Sequence, residues 1–343
     1  MASVAEIVPK VPEPATTSTP CMVDAIRDGL SEALATEPRA LLLGCEVGEL
    51  GGLYRATAGL LATYGPGRVV ELPAVADAEE ALVGLAIGLA VAGRRPIVEL
   101  QFADGLFGAF EQLVNELAKL RYRSGGQLAA PVVLRVPYGA GVQGGPYHSQ
   151  SPEAYLAHTA GLRVVVPSTA ADAKGLVLAA VASHDPVVIL EPKALYRSVH
   201  GEVPPGRAPA PLEGARVVRP GRHATLVAYG AMVPLALAAA GEVERRGLDV
   251  EVLDLRALVP FDRATALTSV AKTGRLCIVH EAPATGGFGG EVAAQIAEHG
   301  IFHLAAPILR IAGLDTPVPY RTETAVLPTV DKVVDALVHV CAY

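Results

Sequence analysis

One pattern recurs along the chain: a short unbroken run of Val, Ile, Leu and Ala, then a stretch whose apolar positions return at helical spacing. The runs are RALLLGCEVG (39–48), RPIVELQF (95–102), APVVLRVPY (130–138), LRVVVPS (162–168) and PVVILEP (186–192). None alternates apolar with polar residues, so each strand is read as covered on both faces. Helical patterns at 22–36, 81–92, 108–122 and 170–183 supply the cover. Strands of this kind joined by helices predict a parallel sheet in an α/β fold.

The pattern stops once and restarts. GEVPPGRAPAPLEG (201–214) is rich in Pro and Gly, and a second series follows it: HATLVAYG (223–230), a helix at 232–246, LDVEVLDL (248–255), a helix near 262–271 and RLCIVHE (275–281). The reading is two consecutive open α/β domains with largely parallel sheets, at 21–200 and 216–343, joined by a linker at 201–215. Residues 1–20, rich in Pro and Thr, read as a disordered arm and not as a signal peptide.

Composition narrows the function. Hydrophobic residues make up 51% of the chain and charged ones 18%, so partner subunits are expected to cover some apolar surface. A net charge of -7 argues against a nucleic-acid surface. The apolar stretch ALVGLAIGLAVAG (81–93) is too short to span a bilayer. Four cysteines, far apart and without a C-x-x-C pair, point to reduced thiols in a cytoplasmic protein.

Several motifs compete for a functional role. GGFGGE (286–291) resembles a dinucleotide fingerprint but lacks a complete strand–turn context, and reads better as a close-packed turn. His299 and His303 are four apart, yet no third ligand accompanies them, so no metal site is assigned. The glycine-rich loop PYGAGVQGGPYHSQSPEAYLAH (137–158) follows a buried strand, where open α/β sheets place ligands. His148 on that loop is a candidate for proton transfer, with capping of the next helix as the simpler alternative. Asp77, Glu79 and Glu80 crowd the start of the helix at 81–92. Asp77 and Glu80 fit a capping box, which gives both a structural role.

LGCEVGELGGLYRAT, RPIVELQFADG, NELAKLRYRSGGQ, YHSQSPEA, VVVPSTAADAKGL, ILEPKALYR, VAYGAM and IVHEAPATGGFGGE occur in that order. Together they resemble the β subunit of the decarboxylating component of 2-oxo acid dehydrogenase complexes, in the transketolase-like superfamily. HEAP followed by TGGFG is nearest to the branched-chain type. The resemblance implies a thiamine-diphosphate pyrimidine-binding domain followed by a transketolase C-terminal-like domain. It also implies an α2β2 heterotetramer in which the α subunit supplies the Mg²⁺ and diphosphate site, a 2-oxo acid substrate and a lipoyl-bearing acyltransferase core. The chain's own residues agree with that division. A G-D-G followed by a downstream Asn is missing: ADG stands at 103–105 and Asn115 is the only asparagine.

By the same resemblance, an activating glutamate hydrogen-bonds the pyrimidine. Counting from Pro73 places it at Ala76, whereas counting back from Gly84 and Gly88 selects Glu79, so three residues are inserted between the anchors. Glu79 is the acid that the capping box leaves without a role. Gln101 is carried over as a cofactor contact and His148 as the proton donor in acyl transfer to lipoyl sulfur. Gly105 stands where branched-chain relatives carry an aromatic packed on the aminopyrimidine, unless Phe107 takes that place. Cys45-Glu46 replaces an acidic pair. Alternative functions are a two-chain thiamine-diphosphate carboligase or acyl-transfer enzyme of specialised biosynthesis, and a non-catalytic scaffold for an α-like partner.

Overall fold

The computed structural model of the chain describes residues 19–73, 78–206 and 209–343. Asp77 lies outside these residues, as do residues 1–18 of the arm read from the sequence. Strands β1 (Ala40–Cys45), β2 (Val69–Leu72), β3 (Arg95–Glu99), β4 (Val133–Tyr138), β5 (Arg163–Val165) and β6 (Val187–Pro192) form one sheet. β7 (Arg216–Arg219), β8 (Ala224–Ala228), β9 (Val250–Asp254), β11 (Leu276–Pro283) and β12 (Leu309–Gly313) form a second. Between them in sequence, β10 (Ala257–Val259) returns to the first sheet and pairs antiparallel with β5. The orders are β10-β5-β6-β4-β3-β1-β2 and β12-β11-β8-β9-β7. Apart from the antiparallel β10–β5 and β7–β9 pairs, neighbours run parallel.

The unbroken apolar runs have the predicted consequence. Every residue of β3, β4 and β6 is buried. Helices Met22–Thr36 and Ala170–Ala182 cover one face of the first sheet, packing closely enough that a Cβ on Gly29 would lie 3.2 Å from the Lys174 carbonyl oxygen. Helix Ala78–Val91 and the segment after β3 cover the other. Three of these strands also share one charge. Arg135 on β4 is fully buried between Glu99 on β3 (2.5 Å) and Glu191 on β6 (2.8 Å). Although burial opposes its charge, these two carboxylates hold its guanidinium protonated far above the ordinary range.

The helix expected at 108–122 is broken. A 3-10 turn at Ala103–Phe107, a π-helical turn at Gln112–Leu117 and a short α-helix at Leu120–Arg123 replace it. Buried Leu106, Ala109, Leu113, Leu117 and Leu120 keep helical spacing through all three, so periodicity does not reveal the wide turn. Among the described residues, no helix is long and apolar enough to cross a membrane.

Both sheets have a point where the strand order reverses, and open α/β sheets bind ligands outside the strand ends at such points. In the first sheet it lies between β1 and β3, beyond Cys45 and Glu99. In the second it lies between β8 and β11, beyond Ala228 and near His280–Pro283.

Candidate active site

The segment Gln101–Gly105, immediately beyond β3, is where the candidate residues meet. Gln101 Nε2 donates to Glu46 Oε2 at 3.0 Å, bridging the reversal point to the end of β1. Glu46 holds a positive φ of 60°, unusual for a residue other than glycine and a form of strain that gathers at functional sites. Phe102 stacks on His148, with ring centroids 4.2 Å apart and planes inclined by 28°. Asp104 accepts from Gln150 Nε2 at 2.9 Å. Gly105 faces Glu79: a Cβ built on it would lie 2.6 Å from Glu79 Oε1. Four of these five residues thus touch the β1 loop, the glycine-rich loop or the start of helix Ala78–Val91.

Glu79 and Gln101 are half-buried and His148 is exposed. His148 does not cap the helix that follows. That helix, Glu153–Ala157, has Pro152 at its N-cap and no side-chain cap bond. Phe107 does not fill the place beside Gly105, since its ring meets Tyr155 edge-on at 5.4 Å. Cys45 donates to the Pro73 carbonyl at 3.6 Å. Burial, and then the charges of Glu79, Glu46 and Glu71, push its thiol up, so Cys45 is a neutral donor.

The second domain grips the glycine-rich loop, through residues that the sequence reading did not single out. Glu281, at the end of β11, accepts from Ala140 N, and Glu323 accepts from Gly141 N at 2.7 Å. Gly145 has no room for a side chain because Tyr320 lies against it, 2.2 Å from where a Cβ would sit. Tyr229, just beyond β8, donates to buried Glu153 at 2.8 Å. Burial lifts the Glu153 carboxyl to about 7. Lys193 lies nearby, its Nζ 5.8 Å from the Phe102 ring centroid, and burial lowers it to about 8. No local spacing announces these contacts, because each joins residues far apart in sequence.

GGFGGE is a close-packed turn. Cβ atoms on Gly287 and Gly289 would lie 2.5 Å and 2.4 Å from the buried His280 ring. The turn accommodates an imidazole, and helix Phe288–Gly300 starts directly on it. His299 Nε2 faces the Arg263 guanidinium at 2.7 Å, an unfavourable neighbour for a metal ion. Among the described residues, no three His, Cys, Asp or Glu side chains gather as a metal site.

A cleft of about 1830 Å³ opens beside the loop, lined by Phe107, Tyr147, Ser149, Tyr155, Glu281 and Phe288 among others. Glu79, Gln101 and His148 do not line it and stand on a more open surface.

Two α/β domains, each with a point where the strand order reverses, define a transketolase-like architecture. The transketolase pyrimidine-binding domain matches residues 18–199 and the transketolase C-terminal domain matches 213–333. The chain belongs to that family, among the β subunits of 2-oxo acid dehydrogenases. It is 46% identical to the pyruvate dehydrogenase E1 component subunit beta of Leifsonia xyli, over 97% of each chain. It is also 46% identical to the mitochondrial 2-oxoisovalerate dehydrogenase subunit beta 2 of Arabidopsis thaliana, over 92% of this chain and 87% of that one. A solved split-gene transketolase, described as an inactive β4 tetramer, superposes with a TM-score of 0.76 at 24% identity. The match covers 94% of this chain and 99% of the other.

Proposed function

We propose that this chain is the β subunit of a thiamine-diphosphate-dependent 2-oxo acid dehydrogenase, contributing the pyrimidine side of an active site completed by an α subunit. The carrying observation is the Gln101–Gly105 segment at the reversal point of the first sheet, where Gln101 meets Glu46, Phe102 stacks on His148 and Gly105 faces Glu79. The donor set suits a nitrogen heteroaromatic: a carboxylate, an amide and an imidazole. One buried polar atom of that segment, Asp104 Oδ2, has no partner among the described residues. The sequence carries no G-D-G with a downstream Asn, and on that ground the Mg²⁺ and diphosphate half is assigned to the α subunit.

Thiamine diphosphate, held in part by Glu79 and Gln101, would supply a nucleophilic thiazolium carbon and an electron sink for decarboxylation of a 2-oxo acid. Glu79 would exchange a proton with a pyrimidine ring nitrogen, a task suited to a carboxylate at hydrogen-bond range. The Gln101 amide nitrogen is engaged by Glu46, which fixes the side chain and leaves its oxygen as an acceptor toward the ring. His148, held flat on Phe102 at the exposed rim, would donate the proton as the acyl group passes to a lipoyl sulfur. The assembly would be an α2β2 tetramer serving a lipoyl-bearing acyltransferase core.

Co-expression with the α subunit, followed by 2-oxo acid-dependent reduction of an artificial electron acceptor, tests this reading. Wild type should turn over, and Glu79→Gln should lose on the order of 10²-fold or more of the rate. Full activity in Glu79→Gln would move the role to Asp77 or Glu80. A paired complex that binds no thiamine diphosphate would leave only the scaffold.

A further inference from the structure

The second domain reaches the glycine-rich loop through a closed segment. Leu314 N donates to the Val326 carbonyl at 2.8 Å, which ties the ends of 314–326 together. Thr285 holds Asp315 near one of those ends, through its backbone N at 3.1 Å and its hydroxyl at 2.6 Å. Two side chains of this segment meet the loop. Glu323 is buried and accepts from Gly141 N at 2.7 Å, while the Tyr320 ring packs against Gly145.

The loop is shaped to receive them. Gly139 and Gly141 hold φ of 81° and 93°, a region that glycine enters freely. The N–H groups of Ala140 and Gly141 face the second domain, where Glu281 takes the first and Glu323 the second. Successive N–H groups in a turn form a concavity suited to an anion, and here two carboxylates of the same chain fill it. A Cβ on Gly141 would lie 2.6 Å from Ala194 Cβ, so this part of the loop also packs on the turn Lys193–Leu195. Gly139 N donates to the Gln150 carbonyl at 3.0 Å, closing the loop just beyond His148. His148 N donates to the Gly145 carbonyl at 3.4 Å, and its imidazole stacks on Phe102. His148 is itself exposed, so its position depends on the loop that carries it.

We propose that Glu323 and Tyr320 are positioning residues for His148: through Gly141 and Gly145 they set the loop so that the imidazole stays on Phe102. The proposal rests on the reading of His148 as the proton donor in acyl transfer. In that step the lipoyl S–S bond breaks, an S–C bond to the acyl carbon forms, and the second sulfur takes the proton from His148. The two electrons come from the acyl carbon after CO₂ loss. Reduction of ferricyanide by the same complex involves no lipoyl sulfur and does not call on His148, which separates the two assays.

The test uses the complex assembled with the α subunit and the variants Glu323→Gln, Glu323→Met, Tyr320→Ala, His148→Ala and Glu323→Met/His148→Ala. Three quantities are read: acylation of an isolated lipoyl domain, 2-oxo acid-dependent reduction of ferricyanide, and amide hydrogen exchange of the peptide spanning 137–158. Glu323→Met removes the acceptor for Gly141 N and should lose about tenfold or more in acylation, with ferricyanide reduction within about twofold. Tyr320→Ala, at an exposed ring, should do the same, and both should speed exchange across 137–158. Glu323→Gln keeps an acceptor oxygen and should stay near wild type in all three. With His148→Ala already present, Glu323→Met should cost nothing further. Wild-type acylation in either Glu323→Met or Tyr320→Ala, whichever assembles, overturns the proposal when His148→Ala is defective. Equal losses in both assays would overturn it too, since the segment would then serve the fold and not His148, as would multiplying losses in the double variant. Glu323→Gln as defective as Glu323→Met would do so as well, the acceptor oxygen then not being what holds the loop. A His148→Ala complex that acylates normally overturns the role of His148 and this proposal with it.

Discussion

At the scale of single residues, Glu153 is the most consequential group outside the candidate site. It is fully buried where the two domains meet and accepts from Tyr229, and burial lifts its carboxyl to about 7. The unfolded chain releases the same proton near the ordinary carboxylate value of about 4.3. Between these values the folded state binds more protons, so stability falls as pH rises and levels off above about 7, at a cost of about 4 kcal/mol. Glu153→Gln keeps an oxygen for the Tyr229 hydroxyl and removes the titration. The variant should melt a few degrees above wild type at pH 8, and the gap should shrink toward pH 5. Matched thermal unfolding at the two values checks this, and groups that titrate in both proteins, such as Asp254, cancel in the difference. The residue scale is also where the sequence was least informative. The meeting of Gly105 with Glu79, and the burial of Glu153 against Tyr229, depend on chain segments brought together only by the fold. Register relative to Gly84 and Gly88 singled out Glu79, and the glycine-rich loop singled out His148. Nothing local pointed to Glu281 or Glu323.

At the scale of elements, strands were the most legible because their signal is burial itself. A run such as VVILEP, short, β-branched and ended by Pro, reads as a strand covered on both sides, and β6 is buried throughout. The π-helical turn after β3 was not legible, since an extra residue in one turn leaves the apolar spacing on either side intact. Between strands, the decisive element contact is polar. Arg135 joins β3, β4 and β6, and Tyr196 adds a hydroxyl to Glu191 at 2.5 Å. Arg135→Met fills a similar volume but leaves Glu99 and Glu191 buried without their cation. Breaking a buried pair in this way costs about 3–5 kcal/mol, far more than the pair itself contributes over an apolar replacement. Chemical denaturation of Arg135→Met should show that loss. Arg135→Met/Glu99→Gln/Glu191→Gln should recover much of it, because the uncompensated charges are gone. A single variant as stable as wild type would mean that the carboxylates are neutral in the folded chain.

At the scale of the whole molecule, two reversal points are joined by one loop. The first domain carries Gln101, Glu79 and, against Phe102, His148, while the second domain holds the loop carrying His148 through Glu281 and Glu323. The proposed site would thus draw on both domains. The adjoining cleft, about 1830 Å³, exceeds the roughly 300–1,000 Å³ of a typical small-molecule pocket. Tyr147 and Tyr155 on its rim are 71% and 56% exposed, and Phe107 is 39% exposed. Aromatic side chains left in water around a wide cleft are a surface suited to a protein partner. The proposed α subunit would cover it, completing both the diphosphate site and the wall of the substrate pocket. The chain alone, supplied with thiamine diphosphate and Mg²⁺, should therefore give no measurable 2-oxo acid turnover, and turnover should appear only on assembly with the α subunit. In parallel, Tyr147 and Tyr155 should react with a tyrosine-nitrating reagent in the isolated chain and become protected in the complex. Equal nitration in both states would place the partner on another face, and turnover by the chain alone would make the α subunit dispensable to the chemistry.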